Sequence, residues 1–472
     1  MIDRYSVIVV GAGITGLATA WWLHKAGVDV CVLELEPAAG GTMRTLHENG
    51  WLIETGPNSA LETTPLLRKL SAEVGIESDL IYANDAANNR YILRAGTLYP
   101  LPMKPGLFLQ SRLWSLRGKL RLLKEPFVGR ASREETIAEF VSRRLGSEFL
   151  DYAINPFVAG VYAGDPEQLS VQAAFPKLYA LEKNYGGLIK GQILGARERK
   201  KREEKAKDRS RLFSFKNGMQ SLPDAIAKAL EGRVLLKRKV EEVLPISRND
   251  GTMTNSYRVT GSNGGRKFVL EADAVIFAVP SYVASTIVKP LDAPLATSLK
   301  NIYYPPVAEV FLGFPANAVG RKLDGFGFLV PAKENRKILG TIWSSVLFPG
   351  RSSSGNVALT TFVGGSRQPE LASLSEDALV ELVSNELKSI MGVTGRPVYS
   401  RVTRWDKAIP QYRIGHLSIL KQVDEFERQH RGIFLVGNYR GGIAVGDCVI
   451  NSELTAQRVR SYVSGTTESI TA

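Results

Sequence analysis

Ser6-Val-Ile-Val-Val-Gly-Ala-Gly-Ile-Thr-Gly-Leu-Ala runs on to Leu33-Glu34 and then to Gly40-Gly41-Thr-Met-Arg44, and this opening constrains the fold more than anything after it. Val7 to Val10 reads as a buried parallel strand, with Gly11, Gly13 and Gly16 turning the chain into a helix. The first glycine permits the tight turn, the second lets backbone approach a pyrophosphate, and the third lets helix pack on strand. Phosphates would then meet the helix N-terminus. Glu34 closes a second strand, Val30 to Leu33, where its carboxylate can accept ribose hydroxyls. Strand, glycines, helix, second strand and acid fall in one unit, so the expectation is a Rossmann-type dinucleotide site rather than a chance glycine turn.

At 472 residues the chain exceeds one hydrophobic core, and two or three structural units are expected. Cys31 and Cys448 lie far apart and form no metal or redox pattern, which suits packed thiols in a reducing, cytoplasmic setting. No metal-binding cluster or Ser-His-Asp arrangement is evident. The apolar stretch from Tyr5 to Leu23 carries glycines at dinucleotide spacing and no cleavage pattern follows it, so neither a signal peptide nor a membrane span is expected.

The net charge of +13 is unevenly placed. Arg112 to Arg144 holds nine Lys/Arg against four Asp/Glu, and Arg197 to Arg211 holds nine against four again. Residues 104–124 interleave that charge with Leu107, Phe108, Leu109, Leu113, Trp114, Leu116, Leu120, Leu122 and Leu123. A basic amphipathic helix lying on an anionic membrane surface would read this way, and so would the solvated face of a buried helix. The aromatics form no stacking platform, so nucleic acid is not an expected partner.

Along the chain, a helix is expected over Pro65 to Val74 and another over Glu134 to Leu145, with Glu198 to Lys207 a charged helix or loop. Arg233 to Lys239, Tyr257 to Thr260, Lys267 to Leu270 and Ala272 to Pro280 read as short strands. Residues 307–314, 338–346 and 357–364 alternate as in an antiparallel sheet, a helix follows from Ser375 to Met391, and a last helix is placed from Asn451. The expected fold is α/β: a Rossmann-type nucleotide domain split in sequence over 1–89, 234–286 and 404–472, an α+β substrate domain over 90–111, 207–233 and 287–403, and a helical, basic, membrane-associating subdomain over 112–206.

Several segments together resemble the flavin-dependent protoporphyrinogen oxidases, within the wider amine-oxidase-like FAD family. They are Glu54-Thr-Gly-Pro-Asn58, Gly160-Val-Tyr-Ala-Gly-Asp-Pro166 with Leu169-Ser170 and Phe175-Pro176, Gly325-Phe-Gly-Phe-Leu-Val-Pro331, and Gly437-Asn-Tyr-Arg-Gly-Gly-Ile-Ala-Val-Gly-Asp-Cys448. The resemblance implies FAD as cofactor. Its phosphates would lie on Gly11, Ala12, Gly13, Ile14, Thr15 and Gly16, its adenosine ribose on Glu34 and Leu35, with Gly41, Thr42 and Arg44 alongside. The isoalloxazine would lie near Gly56, Pro57, Asn58 and Ser59, with Val240 facing the adenine through its backbone and Asn438, Ile443, Ala444 and Val445 holding the ring and ribityl chain.

On the substrate side the resemblance implies that Arg90 pairs with a propionate of a tetrapyrrole, a role suited to a planar guanidinium fork. Phe326 and Leu329 would sandwich pyrrole rings, Phe362 would add an apolar wall, and the Gly160 carbonyl would face the pyrrole nitrogens. Phe328 adds an aromatic where other members vary, which leaves the pocket shape open. His24, His47, His416 and His430 lie outside the narrow motifs, and no side chain is nominated as general base. The implied reaction is oxidation of protoporphyrinogen IX with molecular oxygen as acceptor and hydrogen peroxide as product, in haem or tetrapyrrole synthesis, at the cytoplasmic face of a membrane. Coproporphyrinogen III oxidation by the same chemistry, a flavin-binding protein without turnover, and a homodimer all stay open.

Overall fold

The computed structural model describes residues 2–87, 89–102, 104–195, 211–247 and 253–465. The charged stretch Glu198 to Lys207 lies outside them.

Strand Asp3–Val10 ends on the fully buried run Val7, Ile8, Val9 and nearly buried Val10, so both faces of the strand must be covered. It pairs in parallel with Val30–Leu33 on one side and with Arg266–Phe277 on the other. Val234–Leu235 extends the sheet beyond Val30–Leu33, and Ile433–Leu435 joins the far side of Arg266–Phe277. The register leaves Leu235, Leu33, Val10, Phe277 and Leu435 in one row. The carboxyl edge is therefore level, and the turns that leave it converge on one place. Helices Ile14–Lys25 and Val445–Val463 both start there and pack on each other, with Ser452 Oγ donating to Thr15 O at 2.9 Å.

Two expectations here need correction. Tyr257 to Thr260 and Lys267 to Leu270 are parts of one long hairpin, Met253–Asn263 and Arg266–Phe277, whose second arm continues into the buried parallel strand. The last helix begins at Val445 rather than Asn451, because the glycine-rich turn ends at Ala444, which takes the extended N-cap conformation. Phe213, Phe215, Met219, Leu222, Ile226 and Leu230 share the core that also holds the buried face of Ile14–Lys25.

The second sheet has seven strands in the order Tyr399–Trp405, Val307–Pro315, Asn356–Gly364, Gly340–Ile342, Gly325–Leu329, Asn89–Arg94, Thr97–Pro100. The expected strand over 338–346 is only Gly340–Ile342, after which Ser344–Leu347 turns helical. One face carries Tyr91, Leu93, Val310, Leu312, Phe328 and Val363 into a core closed by Glu376–Met391, the expected helix, with Ser375 as its cap.

Residues 104–124 do not form one amphipathic helix. They break into Pro105–Gln110, Leu116–Arg121 and the 3-10 segment Leu122–Phe127, interrupted by Ser111 to Ser115 and by Pro126 inside the last piece. Ile137–Arg144 is the expected helix over 134–145, started by a capping box between Thr136 and Glu139. Fully buried Arg144 bonds Glu182 at 2.6 Å and Glu125 at 3.0 Å, so this helical unit closes over a charge-balanced cluster. Among the described residues, no helix is long and apolar enough to cross a membrane.

Candidate functional site

At the level edge of the first sheet, Gly11 adopts φ +102°, and a side chain there would stand 2.6 Å from Ala278 O. A Cβ on Gly16 would stand 2.0 Å from Gly11 O, so helix Ile14–Lys25 can sit on this turn only with glycine at that position. Gly13 caps the helix without a side chain, and the space beside it is open. First-turn N–H groups of Ile14, Thr15 and Gly16 thus point at an open cradle without a side-chain partner, the arrangement that receives an anion.

Glu34 closes one end of the cradle. Its Oε2 accepts from Ala12 N at 2.6 Å and its Oε1 from Glu36 N at 2.8 Å. Arg238 N donates to Glu34 O at 2.7 Å, which brings the 238–240 stretch, including Val240, beside it, while Leu35 is exposed. Gly40 N bonds Ala12 O at 2.8 Å and Arg44 Nε bonds Gly41 O at 3.0 Å, so the 40–44 turn packs on the first turn. A Cβ on Gly56 would meet Thr42 O at 2.0 Å, which draws Gly56, Pro57, Asn58 and Ser59 in behind Thr42. Tyr412 OH donates to Asn438 O at 2.5 Å and accepts from Gly442 N at 3.1 Å, pinning the turn that leads through Ile443 and Ala444 to Val445. No side chain caps that second helix either.

The substrate-side residues come together through strand register. Leu329 pairs with Gly340, Gly340 with Phe362, and Phe362 with Glu309, which places Leu329, Phe362 and Glu309 on one face of the second sheet, opposite its core face. Arg90 lies on the same face, since Tyr91 and Leu93 take the core side. A β-bulge explains Phe326 and Phe328. Gly325 pairs with Asn89 and Gly327 with Arg90, leaving Phe326 as the extra residue. Gly327 takes φ +141° and has no room for a Cβ beside Thr341 O. Phe326 thereby emerges beside Arg90, whose guanidinium lies 5.9 Å from the ring centroid, while Phe328 enters the core at 2 % exposure. The aromatic that left the pocket shape open is therefore a core residue.

Gly160, in helix Asn155–Tyr162, packs against this row: a Cβ there would meet Leu329 Cδ2 at 2.5 Å. Arg90 is solvent-accessible, yet desolvation by the surrounding protein lowers its pKa, as expected of a side chain lining a cleft rather than protruding from a surface. Of the arginines on this face, Arg94 pairs with Glu148 and Arg401 with Glu48; Arg90 has no ion-pair partner among the described residues.

Sequence reasoning missed four residues. Glu309 is buried at 3 % exposure and accepts from Asn58 Nδ2 at 3.1 Å; burial, more than the nearby Glu54, pushes its carboxyl well above the usual range. Its signal was present, an acid inside the otherwise apolar Val307-Ala-Glu-Val-Phe-Leu. Glu54 is pushed up to about 7 by burial, against the opposing effects of Thr45, Arg351 and Met219 N. A small cavity separates it from Asn58, Phe311, Ser344 and Thr360. Tyr412 stacks on His416 with centroids 4.2 Å apart, and burial lowers His416 to about 4, so a neutral imidazole bonded to Tyr439 O supports the tyrosine. Nothing in the local sequence ties these two to the distant Asn438 turn. Among the described residues, no group of His, Cys, Asp and Glu could hold a metal ion.

A family model described as flavin containing amine oxidoreductase matches residues 14–460. The chain is 35 % identical to protoporphyrinogen oxidase 2, chloroplastic/mitochondrial, of Arabidopsis thaliana, over 97 % of this chain and 94 % of that protein. It is 29 % identical to coproporphyrinogen III oxidase of Bacillus subtilis, over 97 % and 98 %. A crystal structure from Exiguobacterium sp. 255-15, assigned as a protoporphyrinogen oxidase, superposes with a TM-score of 0.78 at 25 % identity, covering 97 % of this chain and 98 % of that one.

Proposed function

The chain belongs to the flavin containing amine oxidoreductase family, and from that premise we propose that it is an FAD-dependent oxidase of a porphyrinogen, with protoporphyrinogen IX as substrate and molecular oxygen as acceptor, releasing hydrogen peroxide. The observation that carries the substrate side is the shared sheet face: Arg90, Leu329, Phe362 and bulged Phe326 lie on one face, and the strand at its other end carries Glu309, which is bonded by Asn58 beside the nucleotide cradle. Arg90, without an ion-pair partner among the described residues, suits a substrate with few carboxylates; four propionates would call for more positive charge.

The cradle fits FAD on its own terms. Two helix N-termini without side-chain caps and open space beside Gly13 suit a pyrophosphate, and Glu34 retains lone pairs for ribose hydroxyls. Val240 and Leu35 would border the adenosine; Gly41, Thr42, Arg44, Gly56, Pro57, Asn58, Ser59, Asn438, Ile443, Ala444 and Val445 would hold the remainder. When bound, FAD would accept two electrons and a proton from the substrate and return the electrons to oxygen. The chain's own part is to bind and orient. Arg90 would fix a propionate, Phe326, Leu329 and Phe362 would press on the pyrrole rings and exclude water, and the Gly160 carbonyl would face their nitrogens. No side chain is required as general base.

The helical unit supports a peripheral membrane contact. Leu116, Leu123 and Phe127 are 73 %, 70 % and 88 % exposed, and Ile193 is 70 % exposed on helix Leu188–Leu194, which Glu125 ties to the 122–127 turn through Leu188 N. Lys119 and Arg121 are engaged with backbone carbonyls, while Arg117, Lys124 and Arg130 are among the exposed cations beside these apolar side chains. Neutralising those three should weaken binding to anionic vesicles on the order of a hundredfold, at roughly 1 kcal/mol each, and binding indifferent to salt would overturn this contact.

Oxygen uptake with protoporphyrinogen IX and with coproporphyrinogen III tests the function itself. Turnover of the first, faster than the second, is expected. Preference for the second would assign the tetracarboxylate, and no uptake with either, in flavin-loaded protein, would leave a flavin-binding protein without turnover.

A further inference from the structure

Glu309 stands apart from the buried acids that face a cation, and from Glu34, whose carboxylate is held by two backbone N–H groups. Glu125 and Glu182 face Arg144, Glu427 faces Arg440 and Arg458, and Glu54 faces Arg351. Among the described residues, Glu309 has no cation and receives one hydrogen bond, from Asn58 Nδ2. Asn58 Nδ2 spends its other hydrogen on Gly56 O at 3.1 Å, so both amide hydrogens are committed. Its Oδ1 has no partner among the described residues and is the atom left to face outward. Glu309 also shares its face with Phe362 and Leu329, so it lies where the nucleotide cradle and the substrate face meet.

We propose that Glu309 is a positioning residue of the oxidation site: kept as a carboxylic acid, it locks the Asn58 amide with its Oδ1 toward the cofactor and substrate, and it keeps a negative charge out of the place where electrons are delivered. This rests on the oxidase reading given above. A buried acid with no cation holds its proton, because ionising it would strand a charge in an apolar setting. The carboxyl pKa, pushed well above the ordinary value chiefly by burial, agrees. The charged and titratable groups on neighbouring elements do not offset it. Glu54, whose charge raises the Glu309 pKa further, is itself an acid; Arg401, Tyr399 and Arg404 on the adjoining strand are engaged by Glu48, and by Glu376 with Leu374 O. Strand Asn356–Gly364 carries none, and Glu370 and the acids and lysine of Glu376–Met391 lie across the core face of the sheet.

The sign with pH follows. Stability that Glu309 contributes as a neutral acid is full below the ordinary carboxyl pKa of 4.5 and is lost as pH rises toward its raised folded value. E309Q keeps the shape and an oxygen for Asn58 but cannot ionise. It should gain thermal stability over the native protein as pH rises, with the gap closing in acid.

The deciding experiment is infrared difference spectroscopy between the holoenzyme and its E309Q variant at about pH 6, above the ordinary carboxyl value of 4.5 and where Glu54, near 7, contributes equally to both. A protonated-carboxyl carbonyl band that shifts in D2O and is missing from E309Q is expected in the difference; absence of that difference band overturns the proposal. In turnover, E309A should lose about tenfold in kcat with little change in KM, the worth of one buried hydrogen bond, and E309Q should recover most of it. E309Q no better than E309A would also overturn it, and if E309A does not fold, the infrared result decides alone. The infrared band needs no substrate, so its absence sinks Glu309 while leaving the oxidase reading intact, and missing porphyrinogen turnover does the reverse.

Discussion

The nucleotide cradle and the substrate face are made of different material. The cradle is backbone: glycines at 11, 16 and 56 where any Cβ would strike a carbonyl, two helix N-termini without side-chain caps, and one acid that holds amides rather than cations. The face is side chains from strands far apart in sequence, Arg90, Phe326, Leu329 and Phe362, aligned only because four strands adopt one register. Backbone sites tolerate almost no substitution and bind what all members of the family bind. Side-chain sites can change one residue at a time, so specificity belongs on the face.

Four substitutions can break that distinction. The largest effect is expected from Gly16→Val, which forces Gly11 and the first helix apart; the purified protein should carry no flavin and melt well below the native chain, by the overpacking cost of about 1–3 kcal/mol or more. Native flavin content would show that the turn is not where FAD binds. Glu34→Ala should weaken FAD about ten- to hundredfold, since each charge-assisted hydrogen bond is worth about 1.5–3 kcal/mol, with some loss of stability because Ala12 and Glu36 lose their acceptor. Titration of apoprotein gives the number. On the face, Phe362→Ala should leave flavin binding alone and raise KM by roughly tenfold, because a pyrrole ring would no longer bury its apolar surface against the phenyl wall; a flavin defect instead would merge the two sites. Tyr412→Phe is the mildest, a few-fold weaker FAD from losing the hydroxyl between Asn438 O and Gly442 N.

The same contrast decides what could be read without coordinates. Gly11 to Gly16 and Glu34 declare themselves because the turn, the helix start and the acid are neighbours in sequence and each has one backbone reason to be there. The face is legible only through resemblance, since alternation assigns Phe326 and Phe328 to one side and the bulge at Gly327 sends them to different ones. Residues 104–124 show the opposite failure: their apolar spacing suits one helix, but Ser111 to Ser115 and the change to 3-10 geometry at Leu122 divide it into short pieces. Glu309 was visible as an acid in an apolar strand, yet what it meets, Asn58, lies 251 positions away.

The central claim is that specificity lives on the sheet face, and Arg90→Ala tests it most directly through steady-state oxygen uptake with protoporphyrinogen IX. Loss of a bidentate pair to a propionate should lower kcat/KM about ten- to hundredfold, the equivalent of about 1.5–3 kcal/mol, with flavin content and melting temperature unchanged and Arg90→Lys recovering only part. Equal kcat/KM in the native and alanine proteins would make Arg90 a solvated side chain and remove the substrate from this face.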